Sequence, residues 1–157
     1  MFKRISWFVL FVLISSTLSI GYIVTLVRYA EAENGILDDY RASILAMEDV
    51  NSVNTIHRFN GLESYIVADI DHQNGENLYF FIRDGLVQHF FFTNDLIDAA
   101  TAGSIATAVH DGGTVSNITL GILHTTPIFE VQINQEEVVY YVVVNAITRE
   151  IVMNFAT

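Results

Sequence analysis

The chain has no cysteine, which removes disulfide frameworks, thiolate metal sites, cysteine nucleophiles and a lipid-modified N-terminal cysteine. Proline occurs once, at Pro127, where a strand start tolerates the missing N–H. Basic residues are scarce, 7 Lys and Arg against 18 Asp and Glu in 157 residues. Every acidic residue follows Arg28, and only Arg41, Arg58, Arg83 and Arg149 oppose them there, a formal charge of −14. Nucleic acid and anionic lipid headgroups are poor partners for such a surface. Acidity of this kind keeps an outward-facing domain soluble, and it leaves a cationic partner open.

Catalytic groupings are also missing. His57, His72, His89, His110 and His124 are scattered, with no two at i, i+4. No glycine-rich phosphate loop, Gly-x-Ser-x-Gly elbow or Ser/His/Asp grouping is visible, so no catalytic, cofactor-binding or metal residue is assigned and no cofactor is expected. The nearest approach to a cation site is Asp69 and Asp71 on one face of a strand with His72 beside them. Acidic residues leading into the Asn74-Gly75 turn are more simply a solvated edge. The run Phe90-Phe91-Phe92 has no basic residues around it and is expected in the core rather than as a stacking platform.

What the chain does have begins at its N-terminus. Ile5 to Val27 is 23 residues without a charge. At 1.5 Å per residue that is about 34 Å, enough to cross a hydrocarbon core. Lys3 and Arg4 precede it, which places residues 1–4 in the cytoplasm, 5–27 in the membrane as a single-pass anchor, and everything after Arg28 outside. Ala30-Glu31-Ala32 has the form of a signal-peptidase site, but the apolar run is longer than a signal h-region, and a retained anchor is the preferred reading. Thr17, Gly21 and Thr25 form a small-residue stripe along the span.

The rest of the chain is written twice. Ile36, Tyr40, Ile44 and Met47 recur as Ile97, Thr101, Ile105 and Ala108, and Val53 and Tyr79 recur as Val115 and Tyr141. The spacing predicts a helix over 29–50 with an apolar arc of Ile36, Leu37, Tyr40, Ile44 and Met47, weakest at Gly35. Strands are expected over 53–59, 64–71, 77–83 and 86–92, separated by Asn60-Gly61, Asn74-Gly75 and Asp84-Gly85, whose positive φ values suit tight antiparallel hairpins. A second helix capped by Thr93 or Asn94 and ending at Asp111-Gly112-Gly113 follows, with Asp95 and Asp98 in its first turn. Strands over 115–123, 128–134, 138–145 and 150–155 complete the second unit.

The expected fold is α+β, a membrane helix followed by two tandem helix-plus-four-strand antiparallel modules over 28–93 and 94–157. Modules of about sixty residues are individually marginal and should pack on each other. The apolar runs Leu78 to Ile82 and Val138 to Val144, hydrophobic on both faces, cannot be buried by one helix: either the two sheets pack together, the preferred reading, or another protein covers part of one face. By contrast, Phe129, Val131 and Ile133 alternate with Glu130, Gln132 and Asn134, the pattern of a strand dry on one face and wet on the other.

The segment Tyr140-Tyr141-Val142-Val143-Val144-Asn145-Ala146-Ile147-Thr148-Arg149-Glu150-Ile151-Val152 resembles the closing hairpin of a PepSY domain, a hydrophobic strand running into an Asp/Asn-Ala-x-Thr-Gly-x-Ile turn. Asn145, Ala146, Thr148 and Ile151 match that pattern; Arg149 stands where it has glycine. With its N-terminal span and doubled PepSY/cystatin-like modules, the chain is similar to the TseB-like (YpmB-like) proteins of Gram-positive bacteria. The resemblance implies a non-enzymatic extracytoplasmic protein linked to cell-wall elongation through a penicillin-binding protein. The wider PepSY resemblance implies a second class, an inhibitor or chaperone of a secreted peptidase.

Overall fold

The computed structural model describes the backbone of residues 2–157 and the side chains of 19–157 except Ile20 and Tyr29. Helix α1 runs Phe2–Leu45 and passes through Gly35 unbroken. It stops earlier than the expected Val50. Ala46 still donates to Ala42 O, but Met47 donates to Ile44 O at 3.0 Å and Val50 to Met47 O at 3.3 Å, so the last turn tightens and releases the chain into a strand. The chain forms two compact units, Met1–Asp39 and Tyr40–Thr157. The predicted span over 5–27 lies for the most part outside the residues whose side chains are described. Among the described residues no helix is long and apolar enough to cross a membrane.

The second unit holds two four-stranded antiparallel sheets, each with its strands in chain order. Sheet 1 contains β1 (Val50–Asn60), β2 (Ser64–His72), β3 (Asn77–Arg83) and β4 (Leu86–Phe92); sheet 2 contains β5 (Thr114–Leu123), β6 (Thr126–Gln135), β7 (Val138–Asn145) and β8 (Ile151–Ala156). Repeat positions keep equivalent places: Tyr79 pairs with Phe91, and Tyr141 with Phe155. Alternation of β-branched and aromatic residues sets the register, because a slip by one residue would turn the buried face to solvent. Asp84 and Gly85 take φ of 53° and 75°, and Gly75 takes 86°, as the turn dipeptides require. Gly61 does not use that freedom. It lies against the Phe59 ring instead, where a Cβ would collide.

Between the sheets the helix differs from expectation. Thr93–Asp95 is a single 3-10 turn, Leu96 is extended, and α2 spans only Ala99–Thr107. Asp98 is the cap, its carboxylate accepting from Thr101 N at 2.7 Å. Ile97 is held back from the helix because its N–H donates to Ala146 O at 2.8 Å, a tertiary bond the local sequence does not announce. Small residues then bury α2: Ala102, Gly103 and Ala106 are its buried positions.

One apolar cluster joins Phe59, Tyr65, Val67 and Phe81 of sheet 1 with Ala102 and Ala106 of α2 and with Leu120, Phe129, Val131, Ile133, Val142 and Val144 of sheet 2. The expected packing of the two modules on each other is therefore present. On the opposite face of sheet 1, Val53, Ile66, Ala68, Ile70, Leu78 and Ile82 are also buried. The end of α1 belongs to that side. Ile44 is buried, the Arg41 guanidinium donates to Val53 O at 2.6 Å, and Met47 shares a cavity with Leu78, Phe80 and Phe90. The first edges of the two sheets meet where the His57 ring lies 2.9 Å from Leu120 O.

Candidate functional site

The residues with candidate cation-binding chemistry do not converge. Asp69 and Asp71 share a face of β2 as expected, but Asp71 accepts from Ser52 Oγ at 2.7 Å and Asn54 Nδ2 at 2.9 Å, which pulls its carboxyl below the ordinary value. Burial pushes Asp69 up, with Asn54 opposing and Asp71 adding to the rise. The next residue along a strand points to the other face, so His72 lines the cavity beside Met47. No group of three His, Cys, Asp or Glu able to hold a metal exists among the described residues.

The Phe90-Phe91-Phe92 run is split by the same alternation. Phe91 packs edge-on to Phe81 at 5.7 Å between ring centres, against the core. Phe90 and Phe92 face outward, 58% and 37% exposed, so the expectation that all three are core residues is corrected. They sit on β4, the edge strand, where Met47 just after α1 reaches Phe90 across a cavity without burying it.

The more organised feature lies on sheet 2. Its α2 side is sealed by the cluster, and its other side carries Gly121, Leu123, Ile128, Glu130, Val143, Met153 and Phe155. Part of that side is covered by the β1–β2 hairpin. Phe59 lies on Gly121, whose absent Cβ is what permits the contact. Beyond the ring the cover stops, leaving a cleft of about 180 Å³ between Phe59, Gly61 and Leu62 on one wall and Ile128, Glu130, Val143, Met153 and Phe155 on the other. Its rim is apolar and open: Leu62 is 71% exposed, Phe155 46% and Met153 40%. Phe155 is stacked on Tyr141 at 5.4 Å with the ring planes 9° apart, which holds the rim in place.

Glu130 is the ionisable residue of this cleft. It is half-buried, and burial alone pushes its carboxyl above the ordinary value. Among the described residues no hydrogen-bond donor or cation meets it. Compare Glu63, whose carboxyl is lowered by hydrogen bonds from Tyr65 and Arg83, with Arg83 also paired to it as an ion pair. Alternation marked Glu130 as a wet-face residue, but not that Phe59 would arrive from another sheet to enclose it. The sequence signal for that arrival is Gly121 inside a strand.

At the far end of sheet 2 the β7–β8 turn has the expected hairpin form. Ile147 N and Thr148 N donate to Asn145 Oδ1 at 2.8 and 3.0 Å, and Arg149 N donates to Asn145 O at 3.0 Å. Arg149 takes φ of 68°, the left-handed conformation that glycine adopts more easily. The turn is kept although the residue differs.

No protein-family profile and no curated protein matches the sequence. Among solved structures, the YpmB protein from Bacillus subtilis is similar at a TM-score of 0.62 and 18% identity, over 81% of this chain and 96% of that one. A candidate lipoprotein from Clostridium difficile 630 aligns at a TM-score of 0.42 and 13% identity, over 82% of this chain and 92% of that one. The chain has a YpmB-like fold, α+β with two four-stranded antiparallel sheets.

Proposed function

We propose that this chain is a membrane-anchored extracytoplasmic binding protein built of two PepSY-like modules. Residues 1–4 are cytoplasmic, 5–27 span the bilayer once, and the two modules from Arg28 onward lie outside. It acts on cell-wall elongation through a penicillin-binding protein, by contact and without turnover of its own. The observation that carries this reading is the open apolar cleft on sheet 2, a surface suited to another molecule on a fold shared with YpmB. The charge-free run over 5–27 with Lys3 and Arg4 before it supports the anchor, and a tether raises the effective concentration of any membrane-bound partner.

Deletion of the gene tests the proposal. It should change cell shape, growth or sensitivity to wall-directed antibiotics, and the anchored chain should restore the normal state better than a secreted form starting at Arg28. Unchanged wall growth, together with potent inhibition of a secreted peptidase by the purified protein, would replace this reading with that of an inhibitor or chaperone.

A further inference from the structure

The cleft on sheet 2 combines two features that are costly to the free protein. One is exposed apolar area on Leu62, Met153 and Phe155. The other is a half-buried carboxylate without a counter-charge among the described residues. A buried carboxylate normally recovers its lost hydration from donors supplied by the fold, and even the more open Asp71 accepts from Ser52 and Asn54. Among the described residues Glu130 has no such donor, although Thr119 and Val143 are its cross-strand neighbours. The missing group is a cation with an apolar body.

We propose that the cleft receives a segment of the protein partner that presents a lysine or arginine beside an aliphatic or aromatic residue, the basic head meeting Glu130 and the apolar side chain lying on Met153 and Phe155. Lysine and arginine bury their methylene stems along apolar surface while keeping the head at a wetter rim. The cleft of about 180 Å³ has room for one such side chain. Its apolar rim extends past the cavity to Leu62, more area than a small ammonium ion would cover, which favours a polypeptide. The excess of acidic residues over the outer part of the chain steers basic segments toward it. This deepens the binding-protein reading above and rests on it.

The test uses the full chain in lipid nanodiscs, panned against a displayed library of random peptides. Enriched peptides should share a Lys or Arg next to Leu, Ile, Phe or Trp. Glu130→Gln should weaken them by about tenfold or more, as expected for loss of a charge-assisted contact, and Glu130→Lys should abolish binding. Glu137→Gln, in the β6–β7 turn outside the cleft, should leave the affinity unchanged. No enriched motif, an acidic motif, or affinity within about twofold for Glu130→Gln overturns the proposal. Binding of n-butylammonium as tight as that of the peptides also overturns it, in favour of a small amine ligand. In cells the two readings separate. If the anchored chain restores wall growth and Glu130→Gln restores it equally, the cleft assignment fails while the wall reading stands; if deletion leaves wall growth unaltered, the wall reading fails and the peptide result alone decides the cleft.

Discussion

Sheet 1 and sheet 2 share strand order and repeat register, yet their surroundings differ. Sheet 1 buries residues on both faces: Tyr65, Val67 and Phe81 face the shared cluster, and Ile66, Ala68 and Ile82 face the side where α1 ends. Sheet 2 is sealed on the α2 side; on its other side Ile128 and Val143 are buried in the cluster with Phe59, while Met153 and Phe155 stay exposed. A duplicated unit packed on its copy cannot bury every face the same way, because one pair of faces is used in joining them. The uncovered part of that side is where apolar rim residues and a carboxylate with no partner among the described residues occur together. Phe90 and Phe92 show that sheet 1 has an unfinished margin too, but only along its β4 edge.

The largest effect should come from separating the sheets. A chain ending at Thr93 keeps all of sheet 1 but loses α2 and sheet 2, leaving Phe59, Tyr65, Val67 and Phe81 without their cluster partners. It should aggregate or lack a cooperative transition by circular dichroism. Unfolding as cooperative and as stable as that of the full chain would break the picture of one shared core.

Two phenylalanines on the same side of sheet 2 sharpen the contrast between covered and open surface. Phe59→Ala should cost about 3–5 kcal/mol, as for other buried phenylalanines. Phe155→Ala, on the open rim, should cost no more than about 1 kcal/mol, mostly the lost ring stack. Denaturant midpoints measure both, and equal costs would mean that the rim is not open.

Glu130→Gln should raise Tm by about 1–3 °C at neutral pH. The sign follows from a carboxyl whose value in the fold lies above its unfolded value: the ionised form disfavours folding. Wild type therefore gains stability as pH falls through the folded value, and the gain is complete below the unfolded one. The difference between wild type and variant should vanish there, as thermal scans across the acid range would reveal. Glu63 and Asp71 behave oppositely, since their lowered carboxyls contribute stability that is lost as pH falls through their folded values.

The smallest effect belongs to the β7–β8 turn. Arg149→Gly relieves a left-handed backbone but adds freedom to the unfolded chain, for a net gain of about 0.5 kcal/mol. Arg149→Val should lose stability instead, because a β-branched residue tolerates that conformation poorly. If both variants matched wild type in denaturant midpoint, Arg149 would carry no strain.

Most strands were legible because period-2 alternation and turn dipeptides are local signals. The observed β3, β4 and β7 coincide with the segments expected from them. The second helix was less so. The stretch 94–98 carries helix-start chemistry, yet after the 3-10 turn the chain is extended at Leu96, and Ile97 N is taken by Ala146 O, about fifty positions away in sequence. Likewise His124 and Glu136 take positive φ in hairpins that no glycine marks. The cleft was least legible of all. Glu130 reads in sequence like Gln132, a polar residue on a wet face, and nothing within its own strand distinguishes the one that Phe59 will enclose; the glycine that admits the ring is on the neighbouring strand.

By itself the sequence determined the α+β class, the doubled four-strand pattern and which side chains share a face, because hydrophobic period and turn chemistry act over a few residues. Tertiary structure alone decided where α2 begins, which face of each sheet is covered and that Glu130 ends in an apolar cleft. Those outcomes depend on contacts between segments far apart in the chain, such as Phe59 on Gly121, and no local spacing encodes which distant surface will arrive.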